Sequence, residues 1–118
     1  LTAEEASNKA WYNGRDLYYV VTANERIFGY GFLRGWDDNW ENICLGLIIR
    51  GGNYNIGLGK LLVRFLHAAA RERGVKKLRL KVNIDNLSAM ALYLKMGYRF
   101  DGEKQNGELI GYYDLHNS

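Results

Sequence analysis

The sequence predicts an α/β domain: a mixed, mostly antiparallel central sheet, with a central parallel βαβ unit and helices on both faces. Three observations carry that prediction. A continuous apolar run, Ile43–Ile49, leads into an amphipathic helical stripe and then an alternating strand, Leu78, Leu80 and Val82. A crossover of that length makes the two strands parallel and the connection right-handed. Segments rich in Tyr, Val, Ile and Phe flank the unit in pairs, residues 17–22 with 27–33 and 98–101 with 108–115, and turn residues separate each pair, as in antiparallel hairpins.

In chain order, Thr2-Ala3-Glu4-Glu5 has the pattern of a capping box, which predicts a short helix ended by Asn13-Gly14. Residues 17–22 and 27–33 follow as a hairpin around Ala23-Asn24-Glu25-Arg26. The stretch Gly35-Trp36-Asp37-Asp38-Asn39-Trp40 reads as a loop, and Ile43–Ile49 as a strand buried on both faces. Leu58, Leu61, Leu62, Phe65, Leu66 and Ala69 form one apolar helical stripe, with Lys60, Arg64, His67 and Arg71 off it and Gly74 as terminator. Leu78, Leu80 and Val82 alternate with Lys77, Arg79 and Lys81, which predicts a strand with one less buried face. A second helix over about residues 87–96 is stopped by Gly97, and Asn106-Gly107 marks the closing hairpin.

Composition narrows the class. The chain has 118 residues, of which 47% are hydrophobic and 25% charged, enough for one core and unlike a disordered or fibrous chain. It contains no apolar run long enough to cross a bilayer and no secretory leader, so no membrane role is expected. The single cysteine, Cys44, forbids an internal disulfide or a cysteine zinc cluster, and a reducing cytoplasm is the expected compartment. His67 and His116 make no metal-binding spacing, and no metal is expected. The net charge of +3 suits an anionic ligand, while the basic cluster of Arg71, Arg73, Lys76, Lys77, Arg79 and Lys81 reads as a helix C-terminus plus a strand face rather than a nucleic-acid site. Because the first residue is Leu1 rather than Met, an N-terminal segment is expected to be missing.

Between the apolar run and the striped helix lies Arg50-Gly51-Gly52-Asn53-Tyr54-Asn55-Ile56-Gly57-Leu58-Gly59-Lys60. The first N–H groups of a helix lack backbone partners and the macrodipole favours negative charge there, so glycines at 57 and 59 would let a diphosphate approach those amides. Arg50 and Lys60 would add positive charge. Such a loop is a weak signal alone, for it has neither the spacing of a Walker loop nor that of a dinucleotide fold.

A second segment raises the specificity: Asn86, Ala89, Leu92-Tyr93 and Gly97-Tyr98. With Gly57-Leu58-Gly59 it resembles the GNAT superfamily of acyl-CoA N-acyltransferases, over about residues 15–115. The resemblance implies an acyl-CoA N-acyltransferase fold and an acetyl-CoA-dependent N-acetyltransferase, the chain forming one such domain over residues 1–118 without the family's first strand and helix. It implies that the backbone of Leu47, Ile48 and Ile49 pairs with the pantetheine arm. It implies that the diphosphate sits on the amides of Tyr54, Asn55, Ile56, Gly57, Leu58, Gly59 and Lys60. It also implies that Asn86 hydrogen-bonds the cofactor and that Tyr93, seven positions later, is the general acid toward the departing thiolate. The sequence departs from the family where Tyr54 replaces Arg or Gln, where Ile56 replaces a common Lys, and where Gly51 replaces a proline.

The general base is less well defined. Glu41 enters the apolar strand from a side an amine could approach, with Asp37, Asp38 or a water chain as alternatives, and a solvated strand-end charge as the competing reading for Glu41. Trp36 and Trp40, set among Asp37, Asp38 and Asn39, suggest a wall for a polar ring, which favours an amino sugar among small-molecule amine acceptors. A Cys44–His67 nucleophilic pair is disfavoured because buried cysteines are usually inert. The expected activity is acetyl transfer to a primary amine by direct attack in a ternary complex. The rival is a degenerate module that binds acyl-CoA or a partner without catalysis. An exposed terminal hairpin is compatible with a homodimer.

Overall fold

Tyr, Val, Ile, Phe and Leu make up ten of residues 17–34, and this segment forms the hairpin β2 (Leu17–Ala23) and β3 (Arg26–Arg34). Its register runs from Leu17↔Leu33 to Ala23↔Arg26 with a bulge between Val21 and Thr22, and Glu25 takes a positive φ of 64° at the turn. In the computed structural model, which describes residues 2–5, 14–23, 25–49 and 56–115, the remaining elements in chain order are β1 (Thr2–Glu5), β4 (Ile43–Ile49), α1 (Ile56–Glu72), β5 (Lys77–Val82), α2 (Leu87–Met96), β6 (Arg99–Gln105) and β7 (Glu108–Asp114). The strands form one sheet in the order β1-β2-β3-β4-β5-β7-β6. Among the described residues only β4 and β5 pair in parallel, so the mixed sheet with a central βαβ unit stands as expected.

The helix expected to open at Thr2 is corrected. Residues 2–5 instead pair with β2 from Thr2↔Thr22 to Glu5↔Tyr19. A capping box offers two local hydrogen bonds, whereas pairing with β2 ties all four residues of this edge segment into the sheet, and the long-range option wins. The rest of that expected helix, residues 6–13, lies outside the described residues.

Helix α1 lies on one face of the sheet, where the absent side chain of Gly31 makes room for Leu62 and Leu66. Its buried face is turned from the expected stripe. Leu62, Val63, Leu66, His67 and Ala70 are buried, while Leu61 and Phe65 are exposed. The polar His67 can face inward because its Nε2 shares a hydrogen bond with the Tyr98 hydroxyl at 2.8 Å. Helix α2 packs beside α1, with Leu92 against Gly59. The helix layer expected on the other face is not among the described residues. Gly74 (φ 76°) and Gly97 (φ 101°) end the two helices in left-handed conformations that suit glycine.

The core comprises Leu33, Leu45, Val63, Leu66, Leu78 and Leu80, all shielded from water, each side chain contributing roughly 1.5–3 kcal/mol. The expectation that β4 is buried on both faces holds only for its first half. Ile43, Cys44 and Leu45 are buried, but Ile48 is 63% exposed, because β4 and β5 pair only at Ile43↔Leu78 and Cys44↔Arg79 and then diverge.

Candidate active site

The divergence of β4 from β5 opens a cavity of about 400 Å³, a size suited to a small ligand or part of a larger one. Leu47, Ile48 and Ile49 form one wall, and Lys81, Val82 and Asn83 the other. Gly59 of α1 and Asn86, Ser88, Ala89, Leu92 and Tyr93 of α2 close one side, and Glu108 borders it from β7. Strand alternation carries Leu47, Ile49 and Val82 to the helix-bearing face and Ile48, Lys81 and Glu108 to the other, so the cavity is lined from both faces of the sheet.

Six residues singled out by the sequence therefore meet here: Leu47, Ile48, Ile49, Gly59, Asn86 and Tyr93. Gly57, Leu58 and Lys60 lie in the first turns of α1, and the backbone of Ile56 begins that helix. Arg50, Tyr54 and Asn55 lie outside the described residues. The two loop glycines differ in surroundings. Gly57 is exposed at the helix start, whereas Gly59 is buried, and a Cβ on it would lie 2.9 Å from Leu92 Cδ2. Close approach of the two helices accounts for Gly59 without a ligand.

Asn86 caps α2: its side-chain oxygen accepts the Ala89 N–H at 3.2 Å, which leaves the carboxamide NH2 to donate into the cavity. Tyr93 is 5% exposed. Burial, reinforced by Cys44, pushes its phenol up to about 12, so it keeps its proton throughout the physiological range. Behind it lie Tyr98, Tyr113 and His67: Tyr93 meets Tyr98 edge-on at 5.7 Å, and His67 stacks on Tyr113 at 4.5 Å. Burial, with a smaller contribution from Arg71, lowers His67 to about 4, and burial raises Tyr98. His67 and Tyr98 behind Tyr93 are therefore uncharged at physiological pH.

Glu41, Asp37 and Asp38 do not line the cavity. Glu41 precedes β4, six residues or roughly 20 Å of extended chain from Leu47. Asp37 accepts the backbone N–H groups of Arg15 and Asp16. Trp36 and Trp40 are also elsewhere, with the Arg73 guanidinium 4.6 Å from the Trp36 ring and that of Arg34 5.6 Å from the Trp40 ring. The carboxylate that does border the cavity, Glu108, is one the sequence reading passed over. Its signal was the Asn106-Gly107 turn, which starts β7 at Glu108 and sets Leu109 opposite Val82.

The family model described as the acetyltransferase (GNAT) family matches residues 2–98. The chain belongs to this family. Among curated relatives of this GNAT domain, the uncharacterized protein YxbD of Bacillus subtilis (strain 168) is 34% identical over 86 residues, 73% of this chain and 52% of that protein. The chain thus spans about half the length of that relative. The 5-NmdU N-acetyltransferase of Pseudomonas phage PaMx11 is 29% identical over 107 residues, 91% of this chain and 70% of that protein. The PaiA N-acetyltransferase from Thermoplasma acidophilum, solved in complex with coenzyme A, superposes with a TM-score of 0.73 over 84% of this chain and 60% of that one, at 18% identity. The spermidine/spermine N-acetyltransferase SpeG from Vibrio cholerae gives 0.72 over 93% and 73%, at 21% identity. At these identities the structural likeness speaks for the fold. Among the described residues no helix is long and apolar enough to cross a membrane, and no group of His, Cys, Asp and Glu could hold a metal ion.

Proposed function

We propose that the chain is a single cytoplasmic N-acetyltransferase domain that moves an acetyl group from acetyl-CoA to the primary amine of a small acceptor, by direct attack in a ternary complex. The observation that carries this reading is the opening of the sheet after Cys44↔Arg79, with the exposed start of α1 at one end and the buried phenol of Tyr93 inside. The donor set fits acetyl-CoA. The edge of β4 no longer paired with β5 has backbone groups for an amide-bearing arm, and Asn86 has a free NH2. Gly57 lies in the first turn of α1, where amides favour an anion. Bound there, acetyl-CoA supplies an activated acetyl thioester.

The protein's own groups would do the rest. Tyr93 holds a proton at its Oη for the departing sulfur. A phenol at about 12 gives that proton poorly to a solvated thiolate near 8.5, a mismatch of roughly 5 kcal/mol. Inside the cavity the mismatch narrows, because burial raises a thiol too, as it does that of Cys44. Glu108 is the carboxylate placed to receive a proton from the incoming amine, directly or through water. The preference for an amino sugar rested on Trp36 and Trp40. Both rings carry arginines, so the proposed acceptor is a small primary amine of any skeleton.

Thermal-shift titration with acetyl-CoA, followed by thiol release over an amine panel, tests the reading. Saturable stabilisation and amine-dependent release are expected, and absence of stabilisation would refute donor binding.

A further inference from the structure

The face of the sheet opposite α1 carries a row of side chains that the acyl-transfer reading does not use. Register places Arg34 opposite Cys44, Cys44 opposite Arg79, and Arg79 opposite Tyr112. Two arginines thus flank one small buried thiol, their Cα atoms roughly 10 Å apart across two strand spacings. Like charges in one cross-strand row repel, and between the two arginines stands only Cys44; the nearest carboxylates lie at the row's ends, Asp16 just before β2 beside Arg34 and Glu103 at the Tyr112 hydroxyl. The row sits where β4 and β5 part, and Lys81, two residues beyond Arg79, lines the cavity.

Arg34 is held but not consumed. Its guanidinium lies 5.8 Å from the Phe32 ring and 5.6 Å from the Trp40 ring, both within cation–π range. Its Nε is buried, yet finds no hydrogen-bond acceptor. A buried donor left without a protein partner costs roughly 1–3 kcal/mol, so an acceptor brought by water or by a ligand is favoured there. Arg79 gives one hydrogen bond to the Gln105 side-chain oxygen and keeps its other donors. Around the Cys44 sulfur the charged groups are Arg79, Lys81, Arg34 and Glu108, three cations to one anion. Residues 6–13 and 50–55 add no carboxylate side chain to the balance.

We propose that Arg34 and Arg79 bind an anionic group, a phosphate or a carboxylate, on the amine acceptor, while its amine reaches the cavity beside Glu108. This deepens the acyl-transfer reading and rests on it. Donor and acceptor would then meet from opposite faces of the sheet, the amine drawn to Glu108 and the anion to the two arginine side chains, which would swing toward each other over Cys44 to hold it. A polyamine, cationic throughout, would face Arg34, Arg79 and Lys81 with nothing to gain.

The first test needs no acceptor to be known. The Arg34 Nε–H resonance of the wild-type protein is followed by NMR during titration with inorganic phosphate, and separately acetate, at constant ionic strength. A saturable shift with either is expected, and the stronger ligand distinguishes phosphate from carboxylate. A resonance that moves with neither overturns the proposal. The second test compares kcat/KM for phosphoethanolamine, β-alanine, ethanolamine and spermidine at saturating acetyl-CoA. At least one anionic amine should exceed ethanolamine and spermidine by about tenfold or more, the scale of one charge-assisted hydrogen bond. In Arg34→Gln and Arg79→Gln that margin should shrink while acetyl-CoA affinity stays constant. Equal or better use of ethanolamine or spermidine, or a margin intact in both variants, overturns the proposal. Failure of acetyl-CoA to bind would sink the acyl-transfer reading instead, and the phosphate and acetate titrations would still judge the arginine row.

Discussion

Asp16 and Asp37 hold each other by exchange: each carboxylate accepts the other's backbone N–H at 3.3 Å. Asp16, only 3% exposed, also accepts from the N–H groups of Gly35 and Trp36 at 3.0 and 2.9 Å. The loop between β3 and β4 is thus bound to the residues that lead into β2, and Arg73 braces the pair through its contacts with the Trp36 ring and the Arg15 carbonyl.

Asp16→Ala removes the acceptor of three backbone donors at once. A loss of about 3 kcal/mol is expected, in the range for stranding buried polar partners, against about 1 kcal/mol for Asp37→Ala. Urea unfolding of both variants checks the order, and equal losses would contradict the asymmetry.

His67 makes stability depend on pH. Its folded value, about 4, lies below the unfolded value near 6.5, so between these values the unfolded chain binds a proton that the folded chain does not. Stability therefore rises with pH through that window. From about pH 7 to about pH 5 this residue should cost roughly 2 kcal/mol. Denaturant midpoints of His67→Gln should be flatter over the same interval, and an unchanged slope would remove His67 as the cause.

Tyr93→Phe should lower kcat by about a hundredfold or more, the usual scale of a lost general acid, and leave acetyl-CoA affinity within about twofold. Stopped-assay turnover and calorimetric binding separate the two effects. Glu108→Gln should lower kcat/KM for the amine, with its largest effect at low pH, where free amine is scarce.

Gly46 and Gly59 should respond unequally to alanine. A Cβ on Gly46 would fall 2.0 Å from Phe32 Cζ, which forces the ring aside and costs about 1–3 kcal/mol. On Gly59 its one tight contact would be the end of Leu92 at 2.9 Å, with Ile49 Cδ1 at an ordinary 3.5 Å, and the gain in helix propensity, roughly 1 kcal/mol, offsets much of that contact. Thermal melts of Gly46→Ala and Gly59→Ala decide whether the contrast holds.

Periodicity made most of the fold legible. The α2 boundaries and the Asn106-Gly107 turn follow from local chemistry, and the structure repeats them at Leu87–Met96 and at φ values of 53° and 83°. Residues 2–5 misled because their capping pattern is local, while their partner strand lies beyond residue 16. The turn of α1 was hidden because His67 becomes an inward residue only once Tyr98, 31 positions away, meets it. Glu108 was missed for a similar reason: its place by the cavity depends on strand register and on where β4 and β5 part, neither of which is written in any one segment.

Among the described residues, the two rungs Ile43↔Leu78 and Cys44↔Arg79 are all the strand pairing that joins β1 to β4 with β5 to β7. Mechanically the sheet is two panels on a short hinge. An occupant lodged in the gap acts as a splint across them, so slowing of amide hydrogen exchange on loading should spread from the gap into both panels.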